Sequence, residues 1–248
     1  MSKLRISLTV IALAAVFTFS FGLPSGADGP SVADLVEKAK IQIALKHYPE
    51  ALALLKEAGR LEPGNAAVAN LNGVVCMQKT DFAGAASWLR KAIKLDPASA
   101  YPYNNMGSLC HLRKDYPAAV RWYEKGLERD PKDLTCLYNL ANTCFTAGRF
   151  ERGRQAMETI FRTDPDFFTK RQEGLTVGIS SDRLAEQYYC IARLYMQSGD
   201  AEKALAFLEK CVKAGYDDLR NLRSDKAFAN LRGDARFQSL VGESLAKM

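Results

Sequence analysis

Histidine is nearly absent from this 248-residue chain: His47 and His111 are the only two. That removes the commonest general base and metal ligand, and no nucleophile, base and orienting partner stand together in the sequence. The six cysteines never form a Cys-x-x-Cys pair, so the spacing of zinc ribbons and dithiol centres is missing as well. Basic blocks with interleaved aromatics are also lacking. Lys and Arg exceed Asp and Glu by only 34 to 28, and the excess is dispersed, so nucleic acid is not an expected partner. What remains is 48% hydrophobic and 25% charged, the balance of a folded soluble chain.

The first residues differ in kind. Lys3 and Arg5 precede an apolar run from Ile6 to Phe21 that breaks at Gly22 and Pro24. The run contains Ser7, Thr9, Thr18 and Ser20 and falls short of the roughly 20 apolar residues a spanning helix needs. A cleaved export signal over residues 1–22 is therefore expected, with a retained N-terminal membrane anchor as the alternative. Small residues suited to cleavage occur at Ser20-Phe21-Gly22 and again at Ser25-Gly26-Ala27, and no Cys follows to take a lipid. Export, to a periplasm or the exterior, would place the cysteines where disulfides persist.

Four prolines, Pro63, Pro97, Pro131 and Pro165, lie 34 residues apart, each after an acid: Glu62, Asp96, Asp130 and Asp164. Placing each proline at repeat position 32 frames units at 32–65, 66–99, 100–133 and 134–167. Position 8 then holds Ala39, Gly73, Gly107 and Ala141, and position 20 holds Ala51, Ala85, Ala119 and Gly153. Only small side chains occur at either, as two closely approaching helices require, while Leu55, Leu89, Tyr123 and Met157 at position 24 fill the space beside them. Each unit reads as an antiparallel helix pair closed by a proline that cannot continue the second helix.

This pattern resembles the tetratricopeptide repeat over nearly all of residues 32–165, and a fifth unit fits at 185–218 through Tyr188, Ile191, Ala192, Tyr195, Ala204 and Leu208. The resemblance implies an all-α, right-handed superhelical solenoid of about five repeats. Cys76, Cys110 and Cys144 share position 11, where the family usually packs a tyrosine inside the pair. Buried small hydrophobes are expected there, too far apart for a shared zinc ion or a mutual disulfide. Cys136, Cys190 and Cys211 occupy unlike positions, and one bridge among them stays open. His111, next to Cys110, points about 100° away from it on a helix, so the two form no dyad.

The resemblance also implies a concave groove lined by positions 2, 5, 6, 9, 12 and 13. Carried over, the candidate lining residues are Asn70, Met77, Tyr101, Asn104, Asn105, His111, Tyr138, Asn139, Asn142, Phe145, Tyr189 and Arg193. Asparagine amides donate and accept at once, as an extended peptide backbone demands. Asn105 and Asn139, both at position 6, resemble two rungs of the asparagine ladder in the superhelix of protein O-GlcNAc transferase. That likeness implies holding of a peptide backbone and gives no support for sugar transfer. The carboxylate clamp of chaperone adaptors is not matched.

Residues 168–184 read as an inserted loop, long for a compact solenoid. Residues 219–248, with DKAFANL echoed by DARFQSL, resemble the helical cap that ends bacterial arrays of this family. The expected function is non-catalytic: a scaffold or adaptor that takes a protein or peptide partner in its groove, without a cofactor or metal. The alternatives are a membrane-anchored subunit of an envelope assembly or secretion complex, and a regulatory module attached to an enzyme.

Overall fold

The computed structural model describes residues 29–170 and 181–243, and all regular structure among them is helical. The candidate signal and most of the insert lie outside the described residues. Four helix pairs follow in order: α1 (Val32–Ala44) with α2 (Tyr48–Leu61), α3 (Ala66–Gln78) with α4 (Phe82–Leu95), α5 (Tyr101–Leu112) with α6 (Tyr116–Leu127), and α7 (Leu134–Thr146) with α8 (Phe150–Thr163). A single turn, α9 (Phe167–Lys170), precedes a fifth pair, α10 (Ser181–Gln197) and α11 (Ala201–Lys213). The end is formed by α12 (Leu219–Ser224), a 3-10 turn (Lys226–Leu231) and α13 (Ala235–Glu243).

Each pair turns back through one left-handed residue at repeat position 15. Lys46, Thr80 and Lys114 adopt φ of 62°, 60° and 62°, and Gly148 and Gly199 adopt 72° and 83°. Only glycine takes that conformation without steric cost; in the first three units the turn is closed by backbone bonds, the N–H groups of Lys46, Thr80 and Lys114 donating to the carbonyls of Ile43, Met77 and His111. The next residue caps the second helix where it is an aspartate: Asp81, Asp115 and Asp200 accept from Gly84, Ala118 and Lys203 N–H. The acids before the prolines work at the other end. Asp96 Oδ1 accepts from the N–H groups of Ala98 and Ser99, and Asp130 and Asp164 accept from Lys132 and Asp166, which folds each linker into a tight turn.

The small residues do the work the spacing predicts. A Cβ on Gly73 would sit 2.8 Å from Leu89, and one on Gly107 would sit 2.5 Å from Tyr123. Ala39, Ala51, Ala192 and Ala204 are wholly buried. The core is uneven along the stack. One cluster is built on Leu35, Leu55 and Val68 and a second on Leu89, Met106 and Leu109, whereas a third runs unbroken from Ala119 to Val241.

All six thiols are free. Cys144 is fully buried and its thiol is pushed up to about 11 by burial, but Cys76 and Cys110 are only partly buried, a correction to the interior site expected at position 11. The bridge left open among Cys136, Cys190 and Cys211 is not formed: the Cys136 and Cys211 thiols donate instead to the carbonyls of Tyr123 and Ala185. The span read as a loop from 168 begins inside structure, because Phe168 is buried and α10 starts four residues ahead of the fifth frame.

Candidate binding groove

The asparagines of the first helices do not stand free; they are bonded to each other across unit boundaries. Asn105 Nδ2 donates to Asn70 Oδ1 at 2.8 Å, and Asn139 Nδ2 donates to Asn104 Oδ1 at 3.1 Å. Position 6 of one unit thus ties to position 5 of the unit before. The pairing was legible in principle, since both pairs lie 35 residues apart, but the family pattern drew attention to each amide alone. Asn105 and Asn139 each keep one N–H and a carbonyl oxygen for another partner.

The line stops between the fourth and fifth units. Tyr138, at position 5, is buried with its ring 5.8 Å from Phe167, and position 6 of the fifth unit is the buried Cys190. At the end of the stack, the position-5 residue Tyr189 donates its hydroxyl to Asp225 Oδ2 at 2.5 Å, and Arg193 Nε lies 3.5 Å from the same carboxylate oxygen. Tyr189 also stacks on Tyr216 and meets Phe228 edge-on, and burial raises the pKa of its hydroxyl. Tyr189 and Arg193 therefore fasten the cap, and with Glu186, Arg154 and Asn221 they border an open polar cavity of about 590 Å³.

Phe145 and Met77 belong to the core as well. Phe145 is 1% exposed because Gly153 opposite has no side chain and leaves a slot for the ring, which packs edge-on to Phe150. Met77 is buried among Ala85, Leu89, Met106 and Leu109. His111 is half-buried: Nδ1 lies 2.8 Å from Thr143 Oγ1 in the next unit, its ring meets Tyr116 edge-on, and burial lowers its pKa. Tyr101, by contrast, is 70% exposed.

Asn142 is the one candidate left electrically incomplete. Its side chain is buried, and Oδ1 has no hydrogen-bond partner among the described residues. An acceptor stranded in this way costs about 1–3 kcal/mol. Gln187 Nε2, which the sequence did not single out, is stranded too. Among the described residues no group of three or more His, Cys, Asp or Glu is placed to hold a metal ion, and no helix is long and apolar enough to cross a membrane.

Stacked helix pairs of fixed register, tied across their boundaries by side chains of the first helices, define a superhelical repeat scaffold. Family profiles described as tetratricopeptide repeat match residues 36–100, 111–172 and 185–214, together more than half of the chain, and the chain belongs to that family. A solved structure titled for the functional characterization of Pseudomonas aeruginosa pilF is 16% identical, with a TM-score of 0.57, and the match covers 87% of this chain and 90% of that one. MamA (18% identical, TM-score 0.48, 71% and 93% covered) and YrrB, titled a TPR protein with an unusual peptide-binding site (16%, 0.47, 78% and 91%), share the helical repeat at lower similarity. No curated protein matches the chain.

Proposed function

We propose that the protein is an exported, non-catalytic adaptor that holds an extended segment of a partner protein along the first helices of its third and fourth units. The observation that carries this reading is the pair of amides at Asn105 and Asn139, each with one N–H and a carbonyl oxygen left over after its bond to Asn70 or Asn104. Both side chains are only half-buried, and the bonds to Asn70 and Asn104 hold them in place. Groups fixed before binding lose little side-chain freedom on association. Tyr101 offers an exposed ring on the same helix row. Export rests on the sequence of residues 1–22, and an intact mass lacking that segment is its direct check.

The test of the groove is Asn105→Ala with Asn139→Ala, which removes both amides. With a partner obtained by crosslinked pull-down from the native compartment, affinity is expected to fall about ten-fold, the loss of one or two hydrogen bonds. The melt is expected to lose only the little that the two amide bonds contribute, and affinity is compared well below it. Unchanged affinity in a folded variant would remove the groove from consideration.

A further inference from the structure

The C-terminal end of the array carries a second site of different chemistry. Where α12 lies beside α13, an open cavity of about 820 Å³ is lined by Arg220, Arg223 and Arg232 above Phe237 and Val241. Two nearby arginines are matched: Arg236 takes Glu202 through both of its terminal nitrogens, and Arg193 takes Asp225. Arg220, Arg223 and Arg232 have no carboxylate partner among the described residues. Arg232 is held by donating to the Ser224 carbonyl, so one of the three guanidinium groups is positioned in advance.

Three like charges around one concavity repel each other until an anion joins them. Guanidinium is the cation whose planar fork fits a carboxylate or phosphate in two parallel bonds. The floor narrows the choice. Phe237 and Val241 close the base from within the core, and the aliphatic stems of the exposed arginines extend that apolar lining to the surface, which has no use for a bare inorganic ion but suits a hydrophobic side chain next to acidic ones.

We infer that this cavity docks an acidic, apolar-flanked segment of a partner protein, with carboxylates on the three arginines and a hydrophobic side chain against the arginine stems and the base of the cavity. The site is separate from the groove and does not depend on it.

The experiment uses fluorescence anisotropy on the full chain with a labelled Glu-Leu-Glu-Phe peptide amide. Its comparison probes are the Gln-Leu-Gln-Phe and Glu-Gly-Glu-Gly counterparts, inorganic phosphate as competitor, and phosphatidylglycerol vesicles. The acidic, apolar peptide is expected to bind at least ten-fold tighter than either counterpart. Arg220→Gln with Arg223→Gln should lower its affinity at least ten-fold with an unchanged circular dichroism melt, because both side chains are exposed. Lys226→Gln, outside the cavity, should have no effect, and Asn105→Ala with Asn139→Ala should not either, which keeps this site distinguishable from the groove. Equal binding of the peptide by wild type and the arginine double variant would overturn the inference. So would competition by phosphate at the peptide's own concentration, or arginine-dependent capture by the vesicles without binding of the peptide.

Discussion

The second, third and fourth units join one another differently from the way the fifth joins its neighbours. In the regular part the tie between first helices is light: an amide on an amide, Asn70 with Asn105 and Asn104 with Asn139, beside small residues that bring the helices of each pair close. At the fifth unit it is heavy. Tyr195 donates to the Pro165 carbonyl and meets Phe161 edge-on, Phe167 lies between Tyr138 and Phe168, and Asp225 gathers Tyr189 and Arg193 at the cap. Where the 34-residue register holds, geometry repeats and weak ties suffice. Where the insertion breaks it, large rings and an ion pair do the joining.

The contrast breaks most sharply at Phe228, which is wholly buried in the cap. Phe228→Ala is expected to cost about 3–5 kcal/mol. Hydrogen exchange should show the loss of protection in α10 to α13, with α1 to α4 close to wild type, because a stack transmits stability mainly to neighbours. Uniform loss along the chain would mean that the two regions are a single cooperative unit.

A smaller effect is expected from Asn105→Ala with Asn139→Ala. Each lost amide bond should remove about 0.5–1.5 kcal/mol in thermal or urea melts. Were these side chains plain groove residues facing solvent, the melt would not move.

The smallest concerns acid. Burial holds the His111 pKa below its ordinary value, so the folded chain keeps the ring neutral at a pH where the unfolded chain, at about 6.5, takes up a proton. The stability linked to this ring is complete above about pH 6.5 and is lost as pH falls through the folded value. Between about pH 7.5 and pH 5 the wild type should lose more melting temperature than His111→Gln, measured in parallel.

The repeat was legible because proline, small residues and left-handed turns recur at one spacing, and each is forced by backbone or packing. The wall of the groove was legible only in part. Position numbers placed Phe145 beside His111 in role, yet Gly153 drew the phenylalanine ring inward while Thr143 held the imidazole at the boundary. Such outcomes depend on what faces a side chain, and single positions in a repeat frame do not carry that. The Asp225 contacts were out of reach for the same reason: Tyr189 lies 36 residues away, just off the spacing that would have drawn attention to it.

The unequal division of the core has a mechanical consequence. Two small clusters serve the first half of the stack, while one continuous body of buried side chains reaches from Ala119 to Val241. Pulled by its ends, the chain should yield first where α1 and α2 peel from α3, extend in short steps through the early units, and then resist until the remaining body gives way at once. A partner that tugs on the N-terminal side would lengthen the molecule like a spring, whereas a load applied to the last two units would meet a solid block.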